Sequence, residues 1–216
     1  MITDERIVTY LHSLEQPNSE FLQKMELYAK EHRVPIIRKE MESFLRVILT
    51  VKRPLRVLEV GTAIGYSGIL MAEYLPEGGT LTTIENYEPR IAVAKENIEA
   101  SGYTERITLL EGDAMEILPT LAETYDFVFM DAAKGQYLNF FPEILRLLSP
   151  GGILVSDNVL QEGELVESRF AVTRRDRTIH SRMREYLHML KNHPQLLTSI
   201  VPIGDGITMS VKVSEN

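Results

Sequence analysis

After Pro54 the sequence alternates short apolar segments with amphipathic ones, and this rhythm constrains the fold more than any other feature. The short apolar segments are predicted to be strands, and the segments between them have the 3.6-residue spacing of helices. The predicted strands are residues 55–60, 80–85, 107–111, 127–130 and 152–156. The predicted helices between them are residues 66–74, 88–101, 114–122 and 137–148. Such alternation indicates a parallel sheet with helices on both faces.

The segments on either side of this alternation complete the predicted fold. Apolar residues in the first 50 positions recur at helical spacing, and prolines divide this region into three helices. A longer helix is predicted near residues 172–192, and residues 196–202 and 207–213 flank a glycine-containing turn, as in an antiparallel hairpin. We therefore predict an α/β, Rossmann-like doubly wound sheet of seven strands. The sheet is expected to be mostly parallel, with a C-terminal antiparallel hairpin and additional N-terminal helices.

Composition and the lack of a linker narrow the class of protein. The sequence shows no repeat, low-complexity run or interdomain linker, so residues 1–216 are expected to form one domain, with residues 1–50 as a helical decoration. The chain has no cysteine, which excludes disulfides, thiolate metal sites and a cysteine nucleophile. The sequence has no secretory signal and no apolar run of about 18 residues. We therefore expect a cytoplasmic protein that does not span a membrane.

Glycines and polar residues follow three successive predicted strands. The first strand is followed by Gly61 and Gly65, which allow close backbone approach, and by Ser67 at the next helix start. Glu85 ends the second strand, at a spacing where a carboxylate binds ribose hydroxyls in nucleotide-binding folds, and Asp113 follows the third. Ligands bind beyond the carboxyl ends of the strands in doubly wound sheets, so this order favours an adenosine-containing ligand. The alternative is structural: the glycines form a tight turn and the acids cap helices.

The fourth and fifth predicted strands are followed by oxygen-bearing side chains. Asp131 and Lys134 follow one strand, and Asp157 and Asn158 follow its neighbour. Two carboxylates and an amide suit Mg²⁺, which leaves coordination positions for water or substrate. Lys134 is three residues beyond Asp131, and a neighbouring cation would lower its pKa, as a general base requires. The alternative is that Asp157 and Asn158 cap a helix and Lys134 is a surface charge.

These residues match the motifs of a known family. From about residue 30 onward the sequence resembles the cation-dependent O-methyltransferases, which include catechol and caffeoyl-CoA O-methyltransferases. The matching motifs are Val34-Pro35, residues 59–67, Glu85, Gly112-Asp113-Ala114, Asp131-x-x-Lys134 and Asp157-Asn158. The resemblance implies S-adenosylmethionine and Mg²⁺ as cofactors, and a homodimer. By this similarity the methyl donor would contact Ile37, Ser67, Glu85, Asp113, Ala114 and Asp131, and the magnesium would bind Asp131, Asp157 and Asn158.

Within this family the sequence is most similar to the bacterial tRNA 5-hydroxyuridine methyltransferases, which methylate a wobble uridine. The shared segments are residues 32–36, 131–137, 139–141 and 202–206. The resemblance therefore implies tRNA as the partner. Relatives that act on small phenols share the same catalytic residues, so a catechol-like or phenolic acceptor stays open. A non-catalytic adenosine- or RNA-binding module is a third alternative, although such a module would not need Lys134 or metal ligands.

A basic segment stands out in an acidic chain. The net charge is −8, yet residues 169–184 contain six arginines and one aspartate, a local net charge of +5. Arginine is suited to phosphate recognition, and RNA binding depends strongly on the neutralisation of phosphates. We therefore expect Arg174, Arg175 and Arg177 to contact RNA. The alternative is a solvated helix face whose arginines pair with the protein's own carboxylates.

Overall fold

A computed structural model describes residues 3–168 and 170–213. The helices in these ranges are α1 (Glu5–Leu14), α2 (Glu20–His32), α3 (Lys39–Lys52), α4 (Tyr66–Glu73), α5 (Glu88–Ser101), α6 (Ala114–Ile117), α7 (Tyr137–Leu147) and α8 (Arg177–Asn192). The strands are β1 (Arg56–Val60), β2 (Thr80–Glu85), β3 (Ile107–Glu111), β4 (Tyr125–Met130), β5 (Leu148–Ser156), β6 (Leu196–Val201) and β7 (Ile207–Lys212). Short 3-10 helices span Leu118–Thr120, Lys134–Gln136 and Gln161–Val166. No helix in the described ranges is long and apolar enough to cross a membrane.

The strands form one sheet in the order β3-β2-β1-β4-β5-β7-β6. The first five strands pair in parallel, whereas β7 lies between β5 and β6 and is antiparallel to both. This arrangement confirms the predicted doubly wound sheet with its C-terminal hairpin. The winding reverses between β1 and β4, so a crevice opens beyond the carboxyl ends of these two neighbours.

The core lies on both faces of the sheet, because β1 and β4 are buried on both sides. Side chains alternate between the faces along a strand. On β1, Val57 packs in a cluster with the N-terminal helices, whereas Leu58 packs in a second cluster with α7 and α8. On β4, Phe127 and Phe129 lie in the first cluster, and Val128 lies in the second. This double burial explains the continuous apolar run Phe127–Met130 of β4 and the apolar side chains on both faces of β1.

A buried polar cluster joins the N-terminal helices to the start of α4. The Asn18 amide donates to Glu26 at 2.6 Å, to Glu42 at 2.8 Å and to the Tyr66 hydroxyl at 2.9 Å. The Tyr66 hydroxyl lies 2.8 Å from a carboxylate oxygen of both Glu26 and Glu42. Lys39 supplies a positive charge, with its Nζ 2.7 Å from Glu26. Because Tyr66 is the first residue of α4, this cluster fixes the N-terminal helices against the loop that follows β1.

The last long helix begins later than the sequence predicts. We expected a helix from about residue 172, but α8 begins at Arg177. The preceding residues form a turn in which the Thr173 carbonyl accepts from the backbone N–H of Asp176 at 3.0 Å and of Arg177 at 3.2 Å. Arg174 and Arg175 therefore lie in this turn, and Arg177 lies in the first turn of the helix.

Candidate active site

A cavity of about 570 Å³ opens at the carboxyl ends of the parallel strands. The predicted residues found in its wall are Ile37, Gly61, Ser67, Glu85, Asp113, Ala114, Asp131, Asp157 and Asn158. These residues come from the ends of five strands and from the segment between α2 and α3. The fold thus gathers into one cavity the side chains that the sequence places up to 121 positions apart, from Ile37 to Asn158.

Gly61 is required by the close approach of β1 to β4. Its φ is +93°, and a Cβ on its backbone would lie 2.2 Å from the Asp131 carbonyl oxygen. No side chain fits there, and L-residues rarely adopt this backbone conformation. The glycine therefore lets the loop of residues 61–67, which we call the donor loop, start directly against the end of β4.

Glu85 organises the donor loop from the neighbouring strand. One carboxylate oxygen accepts from the Ala63 backbone N–H at 2.8 Å, and the other accepts from the N–H groups of Asn86 and Tyr87 at 3.0 Å. A carboxylate offers about four lone-pair positions, so Glu85 retains capacity for a further donor from a ligand. Its structural and ligand-binding roles are therefore compatible.

Asp113 caps a helix, as the structural alternative predicts, and it also lines the cavity. It is the N-cap of α6, and its side chain accepts from the Met115 N–H at 2.8 Å. Ala114 begins this helix and is buried at the cavity wall. One position thus combines a helix cap with an acceptor at the third strand end.

Glu59 is a buried acid on β1, two residues before the donor loop. The sequence did not reveal its role. It is fully buried on β1, and Thr83 of β2 donates to it at 2.5 Å. Burial raises the pKa of Glu59 to about 7, although the hydroxyl groups of Ser67, Thr83 and Thr62 favour the ionised form. Of these hydroxyls, that of Thr83 makes the hydrogen bond to the carboxyl group.

The predicted metal ligands lie together. The Asn158 side-chain amide donates to an Asp131 carboxylate oxygen at 3.1 Å, and the Asn158 backbone N–H donates to Asp157 at 2.6 Å. Burial raises the pKa of Asp131. Burial, and then the nearby charge of Asp131, raise the pKa of Asp157 to about 7. Two buried carboxylates that repel each other are stabilised by a cation between them, so these oxygen donors fit a hard divalent ion such as Mg²⁺.

The three predicted metal ligands include one side chain that does not titrate, the amide of Asn158. In residues 3–168 and 170–213, no cluster of three or more His, Cys, Asp or Glu side chains is arranged to hold a metal ion. The group described above has two carboxylates, and the third oxygen-bearing side chain is the amide of Asn158. Such a mixed set suits Mg²⁺, which usually binds one or two carboxylates and keeps several waters.

Lys134 lies beside the cavity. It begins the 3-10 helix Lys134–Gln136, and Gln136 is in the cavity wall. The positive charge of Lys134 lowers the pKa values of both Asp131 and Asp157, although burial outweighs this effect. The charge of Lys134 therefore acts on both carboxyl groups of the predicted metal site, but its side chain is not in the described cavity wall.

Asp205 is a cavity residue that sequence reasoning missed. It lies in the β6–β7 turn, and Arg38 donates to it at 2.8 Å. Both residues line the cavity, and the negative charge of Asp205 contributes to the raised pKa of Asp157. The sequence predicts a hairpin turn at Gly204–Gly206 and a resemblance of residues 202–206 to the tRNA-modifying relatives, but no place for Asp205 in the cavity wall. The antiparallel pairing of β7 with β5 is what carries this turn to the end of β5.

The basic segment leads into α8, which packs against the 3-10 helix Lys134–Gln136. Of the side chains that the structure describes, no carboxylate lies within 4.0 Å of the guanidinium groups of Arg174 or Arg175, which are exposed. Arg182 donates to Asn139 at 2.7 Å, and Arg184 donates to the Leu165 carbonyl at 3.1 Å. Arg174 and Arg175 are thus solvated, as the structural alternative expects, although no described carboxylate pairs with them, and contact with RNA stays a prediction. Arg169 lies outside the described residues.

Comparison with known proteins places the chain in a family. The family described as O-methyltransferase matches residues 12–213. The chain belongs to this O-methyltransferase family. The matched range includes all the strands and the residues of the cavity wall.

Two curated relatives illustrate the family. A catechol O-methyltransferase from Niastella koreensis is 40% identical over 129 residues, which cover 57% of this chain and 58% of that protein. The match thus spans less than two thirds of that relative. Caffeoyl-CoA O-methyltransferase 1 from Eucalyptus globulus is 32% identical over 181 residues, which cover 79% of this chain and 72% of that protein.

A solved structure extends the comparison to the whole fold. The O-methyltransferase from Bacillus cereus, determined in complex with SAH, superposes with a TM-score of 0.84 at 25% identity. The superposition covers 96% of this chain and 97% of that one. The seven-stranded sheet described above is therefore the sheet of this family.

Proposed function

We propose that this O-methyltransferase transfers the methyl group of S-adenosylmethionine, in a Mg²⁺-dependent reaction, to the O5 hydroxyl of 5-hydroxyuridine at the tRNA wobble position. The observation that carries the proposal is the convergence of Asp131, Asp157 and Asn158 in one cavity with the donor loop. The Bacillus cereus relative binds SAH, the product that S-adenosylmethionine leaves after methyl transfer. This supports the same donor here.

Different residues in and beside the cavity bind the donor, hold the metal and remove the proton. The sulfonium methyl group is already activated, so the protein mainly aligns the donor with the acceptor and removes the acceptor's proton. Glu85 and the donor loop hold the adenosine part, and Lys134 takes the hydroxyl proton as general base. When bound, magnesium supplies a Lewis acid that orients two neighbouring acceptor oxygens and acidifies the hydroxyl. Asp131, Asp157 and Asn158 would hold it.

The exposed arginines support RNA as the acceptor. Arg174 and Arg175 carry exposed charge in the turn before α8 without a described carboxylate to neutralise it, so phosphates are suitable counterions. The resemblance of residues 131–137 and 202–206 to the tRNA-modifying relatives points the same way.

A phenolic acceptor is the second candidate. Relatives named for catechol and caffeoyl-CoA share 40% and 32% identity over their matched lengths. A catechol presents two adjacent oxygens, as does 5-hydroxyuridine with its O5 hydroxyl and O4 carbonyl, so one metal site serves either acceptor.

The decisive experiment compares acceptors directly. Mass spectrometry of wobble nucleosides from cells with and without the gene should show 5-methoxyuridine only when the gene is present. Purified enzyme should methylate tRNA that carries 5-hydroxyuridine. Robust turnover of catechols with none on that tRNA would replace the first proposal with the second.

Metal dependence has its own test. EDTA should abolish turnover and Mg²⁺ should restore it, whereas Asp157→Ala should remove most activity and leave S-adenosylmethionine binding at least partly intact. Calorimetry on the same variant separates a lost metal from a damaged donor site. Full activity in the presence of chelator would exclude the three-ligand metal site.

The arginine contacts are tested by replacing Arg174, Arg175 and Arg177 together with Gln. The triple variant should show a raised KM for tRNA and little change on 5-hydroxyuridine nucleoside, which has no phosphate. Its tRNA affinity should also fall less steeply with salt than that of the wild type. Equal losses on both acceptors would instead mean that these arginines stabilise the fold.

A further inference from the structure

Phe170 lies in the basic segment, and its apolar side chain is exposed to solvent. It is 81% exposed, and the Arg177 guanidinium carbon lies 5.8 Å from the centre of its ring. A large aromatic ring gains free energy from burial, and a ligand that stacks on the ring would supply this burial. Its environment therefore suggests a ligand that covers the ring.

The backbone holds Phe170 in this position. Its N–H donates to the Ser168 hydroxyl at 3.3 Å, and the Ala171 N–H donates to the Ser168 carbonyl at 2.8 Å. The guanidinium of Arg177 donates to the carbonyls of Val172 at 3.3 Å and Phe170 at 3.4 Å. One arginine thus both faces the ring and binds the turn that carries it, so the ring is presented by a fixed turn.

The ring is connected to the cavity through α8. The first turn of this helix packs against the 3-10 helix Lys134–Gln136, where Ile179 reaches to 4.0 Å from the position of a Cβ on Gly135. Gln136 is in the cavity wall. Phe170 is held by Arg177, the first residue of the helix that packs against this 3-10 helix.

The chemistry of this patch selects one kind of partner. An exposed aromatic ring beside one guanidinium group, in a segment that also exposes Arg174 and Arg175, matches single-stranded RNA. Unpaired bases stack on aromatic rings while arginines bind the phosphates between them. A duplex keeps its bases stacked on each other and offers no free face. We propose that Phe170 stacks on an unpaired base next to the acceptor nucleotide, with Arg174 and Arg175 on the flanking phosphates. This inference rests on the proposed tRNA function and names its mode of recognition.

The test removes the π face and keeps the apolar volume. Phe170→Leu should raise the KM for an anticodon stem–loop RNA that carries 5-hydroxyuridine by roughly 5-fold or more, the usual loss for one stacked base. Phe170→Tyr, which keeps the ring, should remain near wild type. The matched control is Tyr10→Leu, since Tyr10 is an aromatic residue on α1, 63% exposed and outside the cavity wall. Activity on 5-hydroxyuridine nucleoside should be the same in all variants.

A second measurement separates stacking from charge. Direct binding of the wild type and of Phe170→Leu is compared on the stem–loop and on an RNA duplex of equal length. The variant should lose affinity for the stem–loop alone, because only the loop offers unpaired bases. Equal losses on both RNAs, or a loss of Phe170→Leu no larger than that of Tyr10→Leu, would overturn the stacking inference and leave the tRNA function intact. If the wild type methylates catechols but not the stem–loop, both proposals fall.

Discussion

Replacement of Glu59 by Gln isolates the effect of a buried carboxyl group on stability. The pKa of Glu59 is raised from 4.5 to about 7 by burial. Below about pH 4.5 this group is protonated in both the folded and the unfolded protein. Between pH 4.5 and 7 the unfolded chain has lost the proton but the folded protein keeps it, so the stability of the wild type falls as the pH rises. The difference in pKa of about 2.5 corresponds to roughly 3 kcal/mol.

Glu59→Gln cannot titrate and keeps the shape of the side chain, so it should escape this loss. The unfolding free energies of the variant and the wild type, measured by urea denaturation in EDTA, should therefore diverge by about 3 kcal/mol in favour of the variant between about pH 4 and pH 8. The same substitution at Glu96, an exposed residue of α5, controls for the chemical change. A difference between Glu59→Gln and the wild type that does not vary with pH would refute the reasoning, because it would mean that Glu59 titrates alike in both states.

Three further substitutions test the cavity. Gly61→Ala should lower the free energy of unfolding by about 2 kcal/mol or more, measured by urea denaturation, since its Cβ would meet the Asp131 carbonyl at a strained φ; a neutral effect would mean that the two strand ends move apart easily. Glu85→Ala should weaken S-adenosylmethionine binding by roughly tenfold to a hundredfold in calorimetry, and unchanged affinity would remove Glu85 from the donor site. Lys134→Ala should slow turnover most at low pH, where the acceptor hydroxyl does not ionise unaided; a pH–rate profile like that of the wild type would exclude Lys134 as the base.

The sequence predicted most accurately the strands whose ends are determined by the adjacent residues in the chain. Strands β2 and β3 have the predicted bounds, because each apolar run stops at an acid followed by polar or glycine residues. Strand β5 begins at Leu148, four residues before the predicted Gly152. The intervening Ser-Pro-Gly sequence is typical of a turn, but Leu148 pairs with Tyr125 of β4 beyond a register shift. Only the neighbouring strand reveals that extension.

In the candidate site too, features that depend on pairing between distant strands could not be predicted from the sequence. Order along the chain was sufficient to predict that residues at successive strand ends share a cavity, since parallel strands place all their carboxyl ends on one edge. The position of Asp205 was not predictable in this way, because it depends on the pairing of β7 with β5 across more than 50 residues of sequence. The raised pKa of Glu59 likewise follows from burial, and burial depends on the two neighbouring strands and the helix above.

The position of β7 also governs when the site can form during synthesis. This strand lies between β5 and β6 and is the pairing partner of β6 in the sheet, yet it is made after both. Until the ribosome has released residues 207–212, β6 has no strand to join and the turn that carries Asp205 cannot settle at the end of β5. A nascent chain halted before β7 should therefore contain the donor loop, with the five parallel strands already paired around it, but lack the turn that carries Asp205. Ligand capture by stalled chains of increasing length would show this order as binding of the donor ahead of any binding of the acceptor.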